Sequence, residues 1–186
     1  MLMALAVRRF TVDEYLRMGA AGVFKEDDRV ELIEGQIVEM TPIGPAHAGC
    51  VKEMARLLYR AAGDRIIVGV QDPLVLGKQG APQPDIAVLR RTAGGYRTDH
   101  PGAADTFLVI EVADTSADYD RETKMPLYAR ANIPEAWLVS LEDRAVEIST
   151  DPGPGGYRSL RRARAGEILR PRMLPGVEIA VSDILG

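Results

Sequence analysis

The chain contains 186 residues with a formal net charge of −4, and 46% of the residues are hydrophobic. This composition excludes global disorder and is sufficient for one substantial core, so we predict a single domain over residues 1–186. The acidic balance argues against a protein that coats nucleic acid non-specifically, because affinity for phosphate chains comes mainly from lysine and arginine. No apolar run reaches about 18 residues, and the stretch 1–7 is too short for a signal peptide. We therefore predict a cytoplasmic protein without membrane association.

The cysteine and histidine content restricts the metals that the chain could bind. Cys50 is the only cysteine, and His47 and His100 are the only histidines. A disulfide framework and a cysteine-cluster zinc site are therefore excluded, and neither histidine belongs to an H-E-x-x-H motif. A metal site would consist mainly of carboxylate oxygens, which favours magnesium, manganese or calcium over zinc.

Three elements are predicted in the N-terminal third of the chain. Thr11 and Glu14 have the spacing of a capping box, which predicts a short helix over 12–20. Two short apolar runs on either side of a glycine predict a β-hairpin over 28–41. Apolar residues then recur at intervals of three and four, which predicts an amphipathic helix over 45–62.

The central part of the chain has the pattern of strands. The predicted strands are 65–70, 73–76, 85–89 and 106–113. The polar loop between the last two is too short for a crossover helix, so we expect them to pair antiparallel. A helical pattern over 120–131 allows the strand 135–141 to run parallel to its predecessor. Because Pro126 would break the helix, we expect the helix proper to begin near Thr123.

The C-terminal segment combines a glycine-rich turn at 153–156 with many arginines and with short strand-like pieces at 146–149 and 177–181. The arginines are Arg158, Arg161, Arg162, Arg164, Arg170 and Arg172. They form either a solvated basic face or a track that contacts DNA phosphates without reading sequence.

Two acidic residues attached to apolar strands are the main candidates for chemistry. Asp85 precedes an apolar run, and Glu111 lies inside the apolar run 107–113. A desolvated carboxylate costs several kcal/mol unless a cation or hydrogen bonds compensate it. Glu111 therefore requires either a structural ion pair with an arginine or a divalent metal shared with Asp85.

Lys124 follows these acids in a region that otherwise uses arginine. Taken alone, it would be a solvated residue near a helix start. Together with Asp85 and Glu111, it completes a known chemical arrangement. Two carboxylates hold a metal that polarises a phosphate, and an ammonium group stabilises the charge that develops during phosphodiester hydrolysis.

The pairs Pro84-Asp85 and Glu111-Val112, followed by Lys124, resemble a PD-(D/E)XK nuclease core. Ala113 stands where that motif has its lysine, so the lysine has moved to the next helix. A longer ordered set of segments resembles the Uma family of restriction-endonuclease-like proteins. The segments are Val30-Glu-Leu-Ile-Glu-Gly35, His47, Pro84-Asp-Ile-Ala-Val88, Val109-Ile-Glu-Val112, Tyr119-Asp-Arg with Lys124 and Tyr128, and Ile133-Pro-Glu-Ala-Trp-Leu-Val139.

The resemblance implies an α/β fold of the α+β type, with a restriction-endonuclease-like core whose mixed central sheet is flanked by helices. The N-terminal helix and hairpin (10–41) would extend a nuclease core (45–141), and a strand-rich, arginine-rich extension (142–186) would follow. The resemblance also implies a homodimer and a phosphodiesterase site that depends on Mg²⁺ or Mn²⁺. In that site Asp85 and Glu111 bind the metal, and Lys124 assists the attacking water.

Several other residues have two interpretations each. Glu31 either supports the metal site or lies on the surface of a strand, and the resemblance favours the site. His47 either contacts a phosphate or orients Glu31, or it is a surface or capping residue at a helix start. We expect Asp120 to cap a helix rather than to bind metal, and Tyr128 and Trp137 to pack in the core rather than to stack on bases.

The leading hypothesis from the sequence is therefore a metal-dependent endonuclease that binds DNA with modest affinity. Hydrolysis of RNA or another phosphodiester has the same chemical requirements. The alternative is a catalytically inactive protein of the same fold that binds nucleic acid or protein and retains the acids for stability.

Overall fold

A six-stranded mixed sheet organises the chain, and helices cover both of its faces. The computed structural model describes residues 7–25, 27–114 and 116–186. Of the apolar stretch 1–7, which was considered as a signal segment, only Val7 lies within the described residues. The predicted fold class, with a mixed central sheet flanked by helices, is confirmed.

The helices are α1 (Val12–Ala20), α2 (Pro45–Ala62), α3 (Ala117–Tyr119), α4 (Met125–Arg130) and α5 (Val181–Leu185). The strands are β1 (Val30–Ile33), β2 (Gln36–Glu39), β3 (Ile66–Gly69), β4 (Ile86–Arg90), β5 (Thr106–Ala113), β6 (Glu135–Ser140), β7 (Ala145–Gly153), β8 (Gly156–Arg164), β9 (Ile168–Leu169) and β10 (Ile179–Ala180). A π-helical turn (Asp120–Lys124) joins α3 to α4 without a break.

The N-terminal elements confirm the local sequence signals. Thr11 and Glu14 form the predicted capping box at the start of α1. β1 and β2 pair antiparallel as the predicted hairpin. Glu34 and Gly35 make its turn with φ angles of 49° and 76°, the left-handed conformation that such a tight turn requires. This hairpin packs beside α1 and forms a small separate core.

The strand order of the main sheet is β3-β4-β5-β6-β7-β8. β4 and β5 pair antiparallel, and β5 and β6 pair parallel, as predicted. Ile86 lies opposite Ile110 in the β4–β5 register. The two strands run in opposite directions, so the residue before Ile86 faces the residue after Ile110. Asp85 therefore lies opposite Glu111.

The two faces of the sheet bury different sets of side chains. On one face, α2 and the C-terminal elements pack against residues such as Ile86 and Ile110. On the other face, α4 packs against alternate residues such as Ala87 and Val109. Side chains alternate along a strand, so Glu111 points to the face that is covered by α4 and the turn before it.

Two of the predicted strands are not present in that form. The segment 73–76 makes only an isolated bridge, between Val75 and Gly102. Leu74 is fully buried, so its apolar side chain fills the core while loop carbonyls satisfy the backbone. The predicted strand 177–181 is reduced to β10, because helix α5 begins at Val181.

The helix that carries Lys124 begins earlier than we predicted from the position of Pro126. It starts at Ala117 rather than near Thr123. The amide of Met125 donates to the carbonyl of Asp120, five residues back, which is the bonding of a π turn. Pro126 then falls in the first turn of α4, where a missing amide is tolerated.

The arginine-rich segment forms a full edge strand that the sequence did not predict. β7 and β8 make a long hairpin, and the predicted glycine turn lies between them. Edge strands commonly carry charged side chains, because these discourage pairing with another chain.

Candidate active site

A pocket of about 400 Å³ lies where the N-terminal hairpin meets the main sheet. Its walls come from β2 and residues 40–44, from the start of α2, from the ends of β4 and β5, and from the helix that contains the π turn. Four buried carboxylates and one buried ammonium line it, each at most 6% exposed: Glu31, Asp85, Glu111, Asp120 and Lys124.

Asp85 and Glu111 are the central pair of this pocket. The backbone amide of Asp85 donates to Glu111 Oε2 at 3.3 Å. The backbone amide of Val112 donates in turn to Asp85 Oδ2 at 2.9 Å. The β4–β5 pairing thus places the two predicted acids side by side, at the point where β4 begins.

Lys124 reaches the acids from the π turn. Its Nζ lies 3.3 Å from Glu111 Oε1 and 3.3 Å from Glu31 Oε2. The cation beside Glu111 is therefore this lysine, and the alternative of an arginine partner is wrong. Glu31 is buried in the pocket rather than on the surface of its strand, and it also accepts from the backbone amide of Gln83 at 3.1 Å.

His47 and Gln71 also hold Asp85. His47 Nε2 lies 3.0 Å from Asp85 Oδ2, and Gln71 Nε2 donates to Asp85 Oδ1 at 2.9 Å. His47 thus orients Asp85 rather than Glu31. Its other ring nitrogen, Nδ1, is buried and has no hydrogen-bond partner among the described residues.

Three contributions to the site were not predicted as such. Asp120 does not cap the helix; it is buried in the pocket and accepts from the Ser116 hydroxyl at 2.8 Å. Tyr128 is fully buried, as predicted, but its hydroxyl also donates to Glu111 Oε1. Gln71 follows a strand without any motif, so no sequence signal marked it. A signal for Asp120 did exist, because Asp120 and Lys124 are four residues apart and share a helix face.

The environments of the two central acids shift their pKa values in opposite directions. Burial opposes ionisation of Asp85, but hydrogen bonds from His47, Gln71 and the Val112 amide outweigh it and lower the pKa of Asp85. Burial raises the pKa of Glu111 to about 8, although the nearby ammonium of Lys124 opposes this shift. Paired groups whose pKa values are driven apart are a mark of acid–base sites.

Burial and neighbouring charges also shift the pKa values of the other ionisable groups in the pocket. Burial disfavours the ammonium of Lys124, yet the carboxylates of Glu111, Glu31 and Asp120 outweigh it and raise the pKa of Lys124. Burial raises the pKa of Asp120. The hydrogen bond to Asp85 raises the pKa of His47. The pocket is thus an acidic site in which one lysine compensates several carboxylates.

The side chains of the pocket fit some divalent metals better than others. Within residues 7–25, 27–114 and 116–186, no group of three or more acidic, histidine or cysteine side chains is arranged to hold a metal ion. Two adjacent carboxylates with space beside them do not fit structural zinc, which takes four protein ligands. They do fit Mg²⁺, which keeps several waters and binds through one or two carboxylates together with substrate phosphates.

The arginines of the C-terminal segment have a different environment. Arg161 pairs with Glu167 at 3.0 Å, and Arg162 pairs with Asp143 at 2.6 Å. None of the arginines from 158 to 172 lines the pocket. Both of these pairs are at least 40% exposed, so this part of β8 is a solvated face with internal charge pairing.

The mixed sheet, the paired carboxylates on adjacent strands and the lysine on the next helix together define a nuclease-like domain. The model of the Uma2 family, described as "Putative restriction endonuclease", matches residues 12–182. The chain belongs to this family, which confirms the resemblance found in the sequence.

A solved structure shares the fold along nearly the whole chain. It is described as a "putative nuclease belonging to DUF820" from Anabaena variabilis, with a TM-score of 0.77 and 14% identity. The match covers 95% of this chain and 97% of that one. At this identity the similarity shows the fold alone. None of the curated proteins matches the chain, and no described helix is long and apolar enough to span a membrane.

Proposed function

We propose that the protein is an endonuclease that depends on Mg²⁺ or Mn²⁺ and hydrolyses DNA phosphodiester bonds in this pocket. The observation that carries the proposal is the arrangement of three predicted residues. Asp85 and Glu111 lie opposite each other on adjacent strands, and Lys124 Nζ lies 3.3 Å from Glu111. Membership of a family described as restriction endonucleases supports the same conclusion.

Asp85 and Glu111 would hold the metal. When bound, Mg²⁺ supplies a Lewis acid for the phosphate and lowers the pKa of its water. The protein's own contribution is to fix the two carboxylates. Gln71, His47 and the Val112 amide hold Asp85, while Tyr128 and the Asp85 amide hold Glu111.

Lys124 would stabilise the negative charge that develops on the phosphate oxygens during attack. Preorganised cations in a site that excludes water are effective in this role, because they need no reorganisation during the reaction. Glu31 would keep the ammonium in position, since its Oε2 lies 3.3 Å from Lys124 Nζ. Glu31 and His47 are therefore supporting residues in this proposal.

The proposal is tested by incubating purified protein with single-stranded, duplex and branched DNA in Mg²⁺, Mn²⁺ or EDTA. We expect cleavage of at least one substrate in the presence of metal, no cleavage in EDTA, and loss of cleavage in Asp85→Asn. Absence of cleavage under all conditions, or cleavage that Asp85→Asn leaves unchanged, would contradict the proposal. RNA belongs in the same assay, because its phosphodiester bond has the same requirements.

A second candidate function is a nucleic-acid or protein binding module without catalysis. One observation favours it: both oxygens of Glu111 already have hydrogen-bond partners within the protein. This candidate predicts that Mg²⁺ leaves the melting temperature unchanged, whereas a metal that binds only the native state must raise it. The homodimer and the cytoplasmic location stay predictions, and size-exclusion chromatography with light scattering tests the first of them.

A further inference from the structure

The entrance of the pocket has its own chemistry, separate from the carboxylates below it. Arg29 and Tyr119 both line the pocket. Tyr119 is 39% exposed, so its ring is accessible to a ligand. The proposed reaction uses neither residue, so their position requires another explanation.

Arg29 lines the pocket and forms no salt bridge with a described residue. Its contact among the described residues is a 3.5 Å hydrogen bond to the carbonyl of Thr41. Within residues 7–25, 27–114 and 116–186, no carboxylate lies within 4 Å of its guanidinium group. A guanidinium that lines an acidic pocket is suited to bind a phosphate oxygen, since it matches phosphate geometry in two bonds.

The size of the pocket limits what can reach the acids. Its volume of about 400 Å³ is at the low end of the roughly 300–1,000 Å³ that hold one small organic molecule. Residues 40–44 form one wall, and Asp85 and Glu111 are 6% and 2% exposed. A pocket of this size with buried carboxylates suits one nucleotide of a flexible strand.

We propose that the pocket admits a single unpaired DNA strand, with Arg29 binding a backbone phosphate and Tyr119 stacking on a base. A cation and an exposed aromatic ring that line the same pocket are suited to bind single strands, because every base has a face for stacking. Bases within a duplex already stack on one another and offer no such face. The part of this inference that concerns the reaction rests on the function proposed above, but the binding of the strand does not.

The test compares fluorescently labelled single-stranded DNA with a duplex of the same sequence. Binding is measured by anisotropy in EDTA, so that hydrolysis does not contribute, and cleavage rates are measured separately in Mg²⁺. We expect the single strand to bind and to be cleaved at least roughly tenfold better than the duplex, as the loss of one stacked base predicts. A covalently closed duplex circle is expected to stay uncut.

Three variants test whether Tyr119 and Arg29 cause the preference for single-stranded DNA. Tyr119→Ala and Arg29→Ala are each expected to weaken single-strand binding roughly tenfold, while Tyr119→Phe, which keeps the ring, retains it. Arg97→Ala is the matched control, because Arg97 is an exposed arginine outside the pocket. Thermal melts verify that each variant is folded.

The outcomes separate this inference from the proposed function. Equal binding of duplex and single strand, or binding that Tyr119→Ala leaves unchanged, overturns the inference even where cleavage is observed. Single-strand binding that depends on Tyr119, without cleavage of any substrate, supports the inference while contradicting the nuclease proposal.

Discussion

The carboxylate pocket buries its charged side chains, whereas the β8 edge exposes its charged side chains to solvent. In the pocket, four carboxylates and a single ammonium are each at most 6% exposed. On the edge strand, Arg161 and Arg162 are exposed and each has an acidic partner. Burial makes the first set costly, and solvent makes the second nearly neutral in free energy. Because buried charges lower the stability of the folded state, a cluster of them is a candidate functional site.

The largest difference between the two regions is expected in catalysis. Asp85→Asn removes a negative charge that the proposed metal requires, so we expect the cleavage rate to fall roughly 10³-fold or more. Asp143→Asn is the matched change on the surface, where Asp143 pairs with Arg162, and we expect its rate to stay within about twofold. Initial rates on a labelled oligonucleotide measure both. Similar losses in the two variants would contradict a functional distinction between the regions.

The next largest difference is expected in stability. Lys124→Met leaves the carboxylate of Glu31, and that of Glu111 above about pH 8, without a buried cation, and we expect it to cost about 3 kcal/mol of unfolding free energy. Arg162→Met removes an exposed pair, and we expect it to cost about 0–1 kcal/mol. Urea unfolding of the metal-free proteins gives both values. Equal losses of stability in the two variants would show that the buried ion pairs of the pocket are no more important for stability than an exposed pair.

A third difference, spread over several pH units, is expected in the dependence of stability on pH. The pKa of Glu111 rises from 4.5 to about 8 on folding, because burial disfavours its charged form. The folded state therefore holds a proton across this range that the unfolded state has released. Stability should fall as pH increases from about 4.5 to 8, by up to about 1.4 kcal/mol per pH unit. Urea midpoints between pH 5 and 9 measure this trend.

Two variants isolate the source of that trend. Glu111→Gln carries no titrating group at this position, so its slope should be flatter than that of the native protein. Asp143 behaves in the opposite way, since a hydrogen bond from Ser140 and the nearby arginines lower its pKa. Its contribution is present above about pH 4 and is lost only in acid, so Asp143→Asn should leave the slope between pH 5 and 8 unchanged. An unchanged slope in Glu111→Gln would show that another group titrates.

The sequence was sufficient to predict the centre of the site for a physical reason. Asp85 and Glu111 stand beside apolar strand residues, so their burial and their need for compensation were visible locally. A short connection required antiparallel pairing, and this pairing places the two acids opposite each other. The identity of the compensating cation was also among the predicted residues, although the distance from Lys124 to the acids depends on the helix that carries it.

The parts that were predicted wrongly depend on a π turn and on packing in the core. Pro126 predicts a late helix start only for regular α-helical bonding, and the π turn removes that constraint. Asp120 resembles a cap in sequence, but the π turn directs it into the pocket. Leu74 has a strand pattern, yet it fills the core from a loop. The π turn, a local hydrogen-bond pattern, determined the outcome for Pro126 and Asp120, whereas packing in the core determined it for Leu74.

The central claim is that the buried acids of this pocket bind a divalent cation. Isothermal titration of Mg²⁺ into the metal-free protein at pH 8, alongside Asp85→Asn and Asp143→Asn, tests it most directly. The account predicts saturable binding at the pocket in the native protein and in Asp143→Asn, with that binding lost in Asp85→Asn. Absence of binding to the native protein, or equal binding to all three, would contradict it.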